Sequence, residues 1–355
     1  METKLDERKA AILKAIVQDY VREGEPVGSK RLVEGWGLGV SSATVRAEMA
    51  ALEEAGYIAQ PHTSAGRIPT DKGYRYFVDA LAERTPLSEH QRQTLLDLLR
   101  DSSDLEELLR RASTVLSRLT RYAALVVAPA LDRSRLRHIE LVQLGPTSVL
   151  VVFIADTGRV DKRMLDLDAP VTEHDVARAR HAVNEAAAGL RTSQTPDVVA
   201  GIATGAPPEV RPLLEAVADA VRRGLSSPPP GEQIIVGGTA NMAAPGYFER
   251  LEQVKSVYET LEEQVIVLQM LQDALQVGDP AVRIGHELPL VELAACSVVA
   301  ASYDAAGSSA GTVGVLGPTR MDYPRTLAVV QAVASSIEQA LAGITGSSGA
   351  EPTRN

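Results

Sequence analysis

Between Ser41 and Tyr76 a short helix-forming run gives way at once to a segment punctuated by Gly56, Pro61, Gly66 and Pro69, and few folds accommodate that order. Val45, Met49 and Leu52 recur at i, i+4 and i+7, so they share one helical face, the buried one. The opposite face carries Ala43, Arg46, Ala47 and Ala50. A helix that slim approaches base edges in a DNA major groove closely, while its arginine still reaches a guanine or a phosphate. Ser41 or Ser42 opens the helix, because a hydroxyl there caps free N–H groups, and helix N-termini attract phosphate. Gly56 ends it.

Two upstream segments complete the unit. From Glu7 to Val21 the residues Ile12, Leu13, Ile16, Val17 and Tyr20 repeat at helical spacing, with Gly24 as the stop. Pro26–Val33 reads as a turn opening a second short helix, capped by Ser29 and ending near Gly35. Gly37-Leu-Gly39 then turns into the recognition helix, which is the helix-turn-helix order. After Gly56, Tyr57–Gln60 reads as a strand, Pro61–Gly66 as a tight loop and Arg67-Ile68 as the returning strand, making a wing. The candidate major-groove residues are Ser41, Ser42, Ala43, Thr44, Arg46 and Ala47. The candidate backbone contacts are His62, Thr63, Ser64, Gly66 and Arg67 of the wing, with Lys30, Arg31 and Arg75. A protein-binding adaptor built on the same three helices fits the spacing as well.

Charge adds little to that choice. The first 84 residues hold twelve Lys/Arg against thirteen Asp/Glu, so nearly all of the net charge of -10 lies in residues 85–355. DNA binding therefore requires Lys30, Arg31, Arg46, Arg67, Lys72 and Arg75 to gather on one face, while an acidic body discourages loose contact elsewhere. The one cysteine, Cys296, excludes an internal disulfide and sits among apolar residues as a small hydrophobe. No apolar run approaches ~20 residues, and no signal sequence is visible, so a soluble, cytoplasmic protein without a membrane partner is expected.

A length of 355 residues with 45% hydrophobic content supports two or three cores. Gly73–Leu81 continues as helix, and Pro86–Leu119 reads as helical linker. Ala124–Ala128, Leu136–Leu144, Ser148–Ile154 and Arg159–Leu167 read as an antiparallel meander turning at Gly145-Pro146 and Asp156–Gly158. A second strand block spans Leu293–Ser302 and Gly311–Leu316, followed by a helix over Pro324–Ile344. Mostly helical sequence separates the blocks: Glu173–Leu190, Glu209–Arg223 and Tyr247–Leu275, with a surface loop at Ser226–Gly231. An α+β domain interrupted by another is expected. Along Tyr247–Leu275 the residues Leu251, Val254, Tyr258, Leu261, Val265 and Leu268 step by threes and fours, a seam that suits either a partner helix or the domain's own core.

The runs Ser41-Ser-Ala-Thr-Val-Arg, Met49-Ala-Ala-Leu-Glu-Glu and Pro61-His-Thr-Ser-Ala-Gly-Arg-Ile-Pro-Thr-Asp-Lys-Gly-Tyr-Arg resemble the bacterial heat-inducible transcription repressor HrcA family. So do Gly237-Gly-Thr-Ala-Asn, Ser297-Val-Val-Ala and Gly317-Pro-Thr-Arg-Met-Asp-Tyr. The resemblance spans almost the whole chain. One departure is Ala47, where family members usually carry Asn, so an amide able to pair with adenine is missing. The residues read as a winged helix (1–85), a helical linker (86–120), an α+β domain in two segments (121–169 and 280–345) and an insertion (170–279), and the resemblance implies that the last two are a GAF-like domain and an inserted dimerisation domain. Residues 346–355 are expected to be a disordered tail. It also implies a homodimer on a CIRCE-type inverted repeat in double-stranded DNA before chaperone operons, heat release, and dependence on the chaperonin GroEL.

No enzyme is expected. Gly35–Gly39 lies inside the helix-turn-helix without a preceding strand, and Gly237-Gly-Thr239 lacks a phosphate-loop lysine. His174 and His181 are seven apart, too far for a joint metal site, and His286-Glu287 lacks a second nearby ligand, so neither metal nor cofactor is expected. Arg320, Asp322 and Tyr323 either line a pocket of the GAF-like domain or pair with one another to hold it. The first alternative gives a metabolite-sensing repressor. No nucleophile and base constellation can be assembled.

Overall fold

The computed structural model describes residues 5–62, 65–83, 86–129, 134–226, 234–248, 250–276, 278–305 and 308–347. It opens with α1 (Glu7–Glu23), α2 (Ser29–Trp36) and α3 (Ser42–Glu54), then β1 (Ile58–Ala59) and β2 (Ile68–Pro69), which pair antiparallel. Asp6 caps α1 by accepting from the Lys9 N–H, and Gly24 closes it at a φ of 77°. Ile12, Leu13 and Ile16, Leu32, and Val45, Met49 and Leu52 bring the three helices onto one core. α4 (Asp71–Tyr76) runs into a π turn over Phe77–Leu81, and α5 (Glu89–Arg100) and α6 (Leu105–Thr120) follow.

Next come β3 (Ala123–Val127), β4 (Leu136–Gln143), β5 (Ser148–Ala155) and β6 (Val160–Asp166), then α7 (Glu173–Ala187), α8 (Thr195–Gly205) and α9 (Arg211–Ser226). The chain continues through β7 (Ile234–Gly237), α10 (Leu251–Glu262), α11 (Gln264–Leu275), β8 (Ala281–Ile284), β9 (Cys296–Ala305), β10 (Ser308–Pro318) and α12 (Tyr323–Ser347). β7, β3, β10, β9 and β8, in that order, form one antiparallel sheet. Its residues alternate between two cores, as the period of two demands. Ala124, Val126, Val299 and Ala301 join the core that includes α5, α6 and α12, while Leu125, Val127, Val298 and Ala300 join α10 and α11. The sheet is the middle of three layers.

The division expected at 170 and 279 moves. β4, β5 and β6 form a separate sheet, and Ile139, Leu141, Val149, Val151 and Phe153 pack with α7, α8 and α9 on a core of their own. The inserted unit therefore lies between β3 and β7, which are neighbours in the larger sheet, and the meander belongs to it rather than to segment 121–169 of the expected GAF-like domain. Strand alternation reports which face is buried and not which sheet a strand joins. The other face of the small sheet meets solvent. Val142, Leu150 and Met164 stand opposite one another there, as do Ile154 and Val160, and Val142, Val160 and Met164 are exposed.

The expected continuous helix over Tyr247–Leu275 is broken at Glu263 into α10 and α11, both of which pack on the larger sheet. The six seam residues do not share a stripe. Leu261 is buried, Tyr258 donates its hydroxyl hydrogen to the Thr239 carbonyl, and Leu251 and Val265 are 79% and 65% exposed. Of the six, Leu261 and Leu268 pack on the sheet's second face. Of the expected tail, Gly346 and Ser347 finish α12 and residues 348–355 lie outside the described residues, as do 227–231 of the expected Ser226–Gly231 loop.

Candidate nucleic-acid interface

The helix α3 is set by its ends and its buried face. Ser41 accepts from the Thr44 N–H at 3.1 Å as the N-cap, and Gly56 takes a φ of 78° after the last turn. Ser42 stands 3.1 Å from Ser29, hydroxyl to hydroxyl, tying α3 to α2. With Val45, Met49 and Leu52 turned inward, Ser41, Ala43, Arg46 and Ala47 are exposed, Ser42 and Thr44 half-buried. The face read from the sequence is the one that meets solvent. Among the described residues no ion pair engages Arg46, and Lys30 is 85% exposed in its side chain with only a 3.8 Å contact to Glu34.

The remaining basic groups are engaged. Arg31 places its Nε 2.7 Å from an oxygen of Asp19, whose side chain is 1% exposed. The other Asp19 oxygen accepts from Arg22 at 2.9 Å and from the Trp36 indole at 3.4 Å. A buried carboxylate thus holds a half-exposed guanidinium on α2 by charge. Asp19 carried a signal in the sequence: it follows Ile12 and Ile16 on the apolar side of α1, three residues beyond Ile16.

In the wing, Gln60 donates to the Ala65 carbonyl at 3.0 Å, and Val27 and Arg67 exchange backbone hydrogen bonds of 2.9 Å each. Gly66 is there because a Cβ would come within 2.5 Å of the Val27 carbonyl. Its role is to let the wing close on the α1–α2 connection. Arg67 holds the β1–β2 hairpin to α3 through Glu53, at 2.9 and 2.8 Å. Lys72 donates to the Ala55 carbonyl and lies 4.4 Å over the Tyr57 ring. His62 is exposed, while Thr63 and Ser64, both expected at the DNA, lie outside the described residues.

Arg75, expected on the DNA backbone, faces the other way. It grips Glu287 through Nε, 2.8 Å from Oε1, and through a second, shorter bond to Oε2, and it donates to the Val282 carbonyl at 2.7 Å. Burial works against its charge, but Glu287 and Asp79 more than offset that and raise its pKa, so it stays a cation. A partner 212 residues away is invisible to local pattern.

Among the described residues, the Gly317–Tyr323 segment makes side-chain hydrogen bonds to the sheet and to the start of α12. Tyr323 is fully buried, donates to the Thr319 carbonyl and lies 2.8 Å from the Ser297 hydroxyl, and Asp322 accepts from the Arg325 N–H in the first turn of α12. Arg320 packs where a side chain on Gly24 or Gly246 would stand. Gly237-Gly-Thr-Ala-Asn closes the end of α6, with Asn241 donating to the carbonyls of Ser117 and Tyr122.

With that geometry in view, a family model described as "HrcA protein C terminal domain" matches residues 106–327. The heat-inducible transcription repressor HrcA of Nocardia farcinica is 46% identical over 343 residues, covering 96% of this chain and 99% of its own. The repressor of the same name from Acidothermus cellulolyticus is 47% identical over 339 residues, covering 95% and 99%. A crystal structure titled as that of a hypothetical protein has 21% identity and a TM-score of 0.62, covering 96% of this chain and 100% of its own, and shares the fold.

Proposed function

The chain belongs to the HrcA family of heat-inducible transcription repressors, and from that membership we propose that it works as a homodimer on a CIRCE-type inverted repeat before chaperone operons. It is a negative regulator of transcription and not an enzyme. The observation that carries the proposal is the solvent face of α3, where Arg46 is exposed between small residues and, among the described residues, engaged by no ion pair. Ser41, Ser42, Ala43, Thr44, Arg46 and Ala47 read the major groove. Lys30, Arg31 and His62, with Thr63 and Ser64, follow the backbone.

Dimerisation matters because two identical readers related by a two-fold axis require a two-fold operator. The open apolar face of the three-stranded sheet, with Val142, Val160 and Met164 exposed, supports that unit as the joining surface. Release on heating follows when a marginally stable body opens and the paired grip is lost. A free chaperonin such as GroEL restores the fold and an occupied one does not. The protein then acts in the bacterial cytoplasm, on the nucleoid when bound.

Fluorescence anisotropy against the full repeat, a single half-site and a scrambled duplex tests this, with sedimentation of the same samples on warming. Tight binding to the full repeat alone, lost over the temperature interval in which the dimer dissociates, is the expected result. Equal weak binding to all three, or an intact dimer whose affinity has collapsed, contradicts it.

A further inference from the structure

The winged unit is bolted to the five-stranded sheet by one short turn. After β8 the chain makes a 3-10 turn, Gly285–Glu287, whose three residues all address α4. The His286 N–H donates to Asp71 at 3.0 Å, and His286 Nδ1 lies 2.7 Å from the same oxygen. Glu287 takes the guanidinium of Arg75 with both oxygens and also accepts from the Ile284 N–H at 2.9 Å, which fixes its carboxylate. Asp71 and Arg75 are i and i+4 on α4 and present opposite charges on one face. The turn presents a hydrogen-bonding partner for each in adjacent residues. Gly285, at a φ of 52°, has no room for a side chain, since a Cβ would meet Asp71 at 2.3–2.5 Å. Beside the turn, Tyr74 is buried against Tyr323 with ring centroids 5.7 Å apart, and Arg320 packs on Gly24 at the end of α1.

The Arg75–Glu287 ion pair, the two His286–Asp71 hydrogen bonds, the Arg75 bond to the Val282 carbonyl and a ring contact leave the winged unit one orientation on the sheet. We propose that this turn is a clasp, and that Asp71, Arg75, His286 and Glu287 are positioning residues that fix the two readers of a dimer at the separation of two half-sites. The inference rests on the proposed inverted-repeat function. A clasped pair binds its second half-site at a high effective concentration over a narrow range of spacings. An unclasped pair searches a larger volume and accepts many spacings weakly.

The test compares the full-length protein with E287Q and R75Q on a half-site, on the full repeat and on repeats whose central spacer is lengthened or shortened by one to five base pairs. Far-ultraviolet melts run alongside. Expected is a loss of about ten-fold or more on the full repeat in either variant, no further loss in the double variant, and a flattened spacer profile, with half-site affinity within about two-fold of the unmodified protein. A merely structural role would weaken half-site and full repeat together, and that result overturns the clasp. So does a full-repeat affinity and spacer profile that both variants retain. An unmodified protein that does not prefer the full repeat to the half-site instead removes the inverted-repeat reading itself, and the clasp's role with it.

Discussion

Replacing Arg46 with alanine isolates the reader from the scaffold. The side chain is exposed, no ion pair engages it among the described residues, and alanine already occupies positions 43, 47 and 50 around it. The substitution should therefore leave stability within about 0.5 kcal/mol, as surface changes usually do. Its effect on the operator is larger. A bidentate base contact is worth about 1–3 kcal/mol, and the proposed two-fold dimer loses it twice, so about 2–6 kcal/mol, or roughly 30-fold to 2 × 10⁴-fold in affinity. If the guanidinium instead meets a phosphate, affinity falls alike on all sequences and the slope of log K against log salt becomes shallower by roughly 1.8, two phosphates at about 0.9 each. Anisotropy titrations at several salt concentrations on repeat and scrambled duplexes separate the cases. A loss smaller than about three-fold on the full repeat with an unchanged salt slope would refute the assignment of Arg46 to the DNA, and a lowered melting point would show that its exposure had been misjudged.

Gly66→Ala pushes a Cβ to 2.5 Å from the Val27 carbonyl and breaks both backbone bonds between Val27 and Arg67. At about 1 kcal/mol each, that destabilises the winged unit by about 2 kcal/mol or more, and an unchanged calorimetric transition would disprove the close contact. Cys296 is fully buried and its thiol is pushed up to about 12 by burial. A thiol reagent should therefore label it negligibly at 25 °C and progressively over the warming interval in which operator affinity falls. Rapid labelling in the cold would contradict a closed sheet. Glu107, near the start of α6, accepts from the Ser103 N–H and hydroxyl and from Arg111, which lower its pKa to about 2. Its folded value lies below its unfolded one, so its contribution is full above about pH 4.5 and disappears as pH falls toward 2. The stability gap between the protein and E107Q should close over that window, and a gap independent of pH would disprove the cause.

The winged unit was legible because its signals are local. Val45, Met49 and Leu52 mark the buried face of α3, Gly24 and Gly56 mark helix ends, and all of these lie where the spacing puts them. The inserted unit was legible as elements but not as a unit. Ser148–Ala155 alternates buried and half-buried residues along its length, yet nothing in alternation tells whether its neighbour is β3, nearer in sequence to β4, or β6. α8 escaped notice because two glycines weaken Thr195–Gly205 as a helix, although Pro196 in its first turn is a start signal. The break at Glu263 uses neither glycine nor proline, so no breaker marks it in the sequence. Arg75 shows the limit most sharply. Its charge suggested DNA, and only a glutamate brought up by β8 shows otherwise.

The engaged cations bear on how repression is controlled. Arg8 and Lys9 stand 3.6 and 3.3 Å from Glu48, Arg31 is held by Asp19, Arg67 by Glu53 and Arg75 by Glu287. Electrostatic affinity for DNA grows with the number of phosphates neutralised, and a near-neutral reader with so few uncommitted cations gains little of it. The acidic remainder of the chain subtracts from that. A lone reader of this kind dissociates readily from any sequence. Joining two readers multiplies their affinities through effective concentration without adding a single contact, so occupancy of the operator depends on whatever keeps them joined and aligned. In the proposed dimer, weak readers therefore make the body the point of control: a modest loss of order there, far from any base pair, removes the second grip and with it most of the binding.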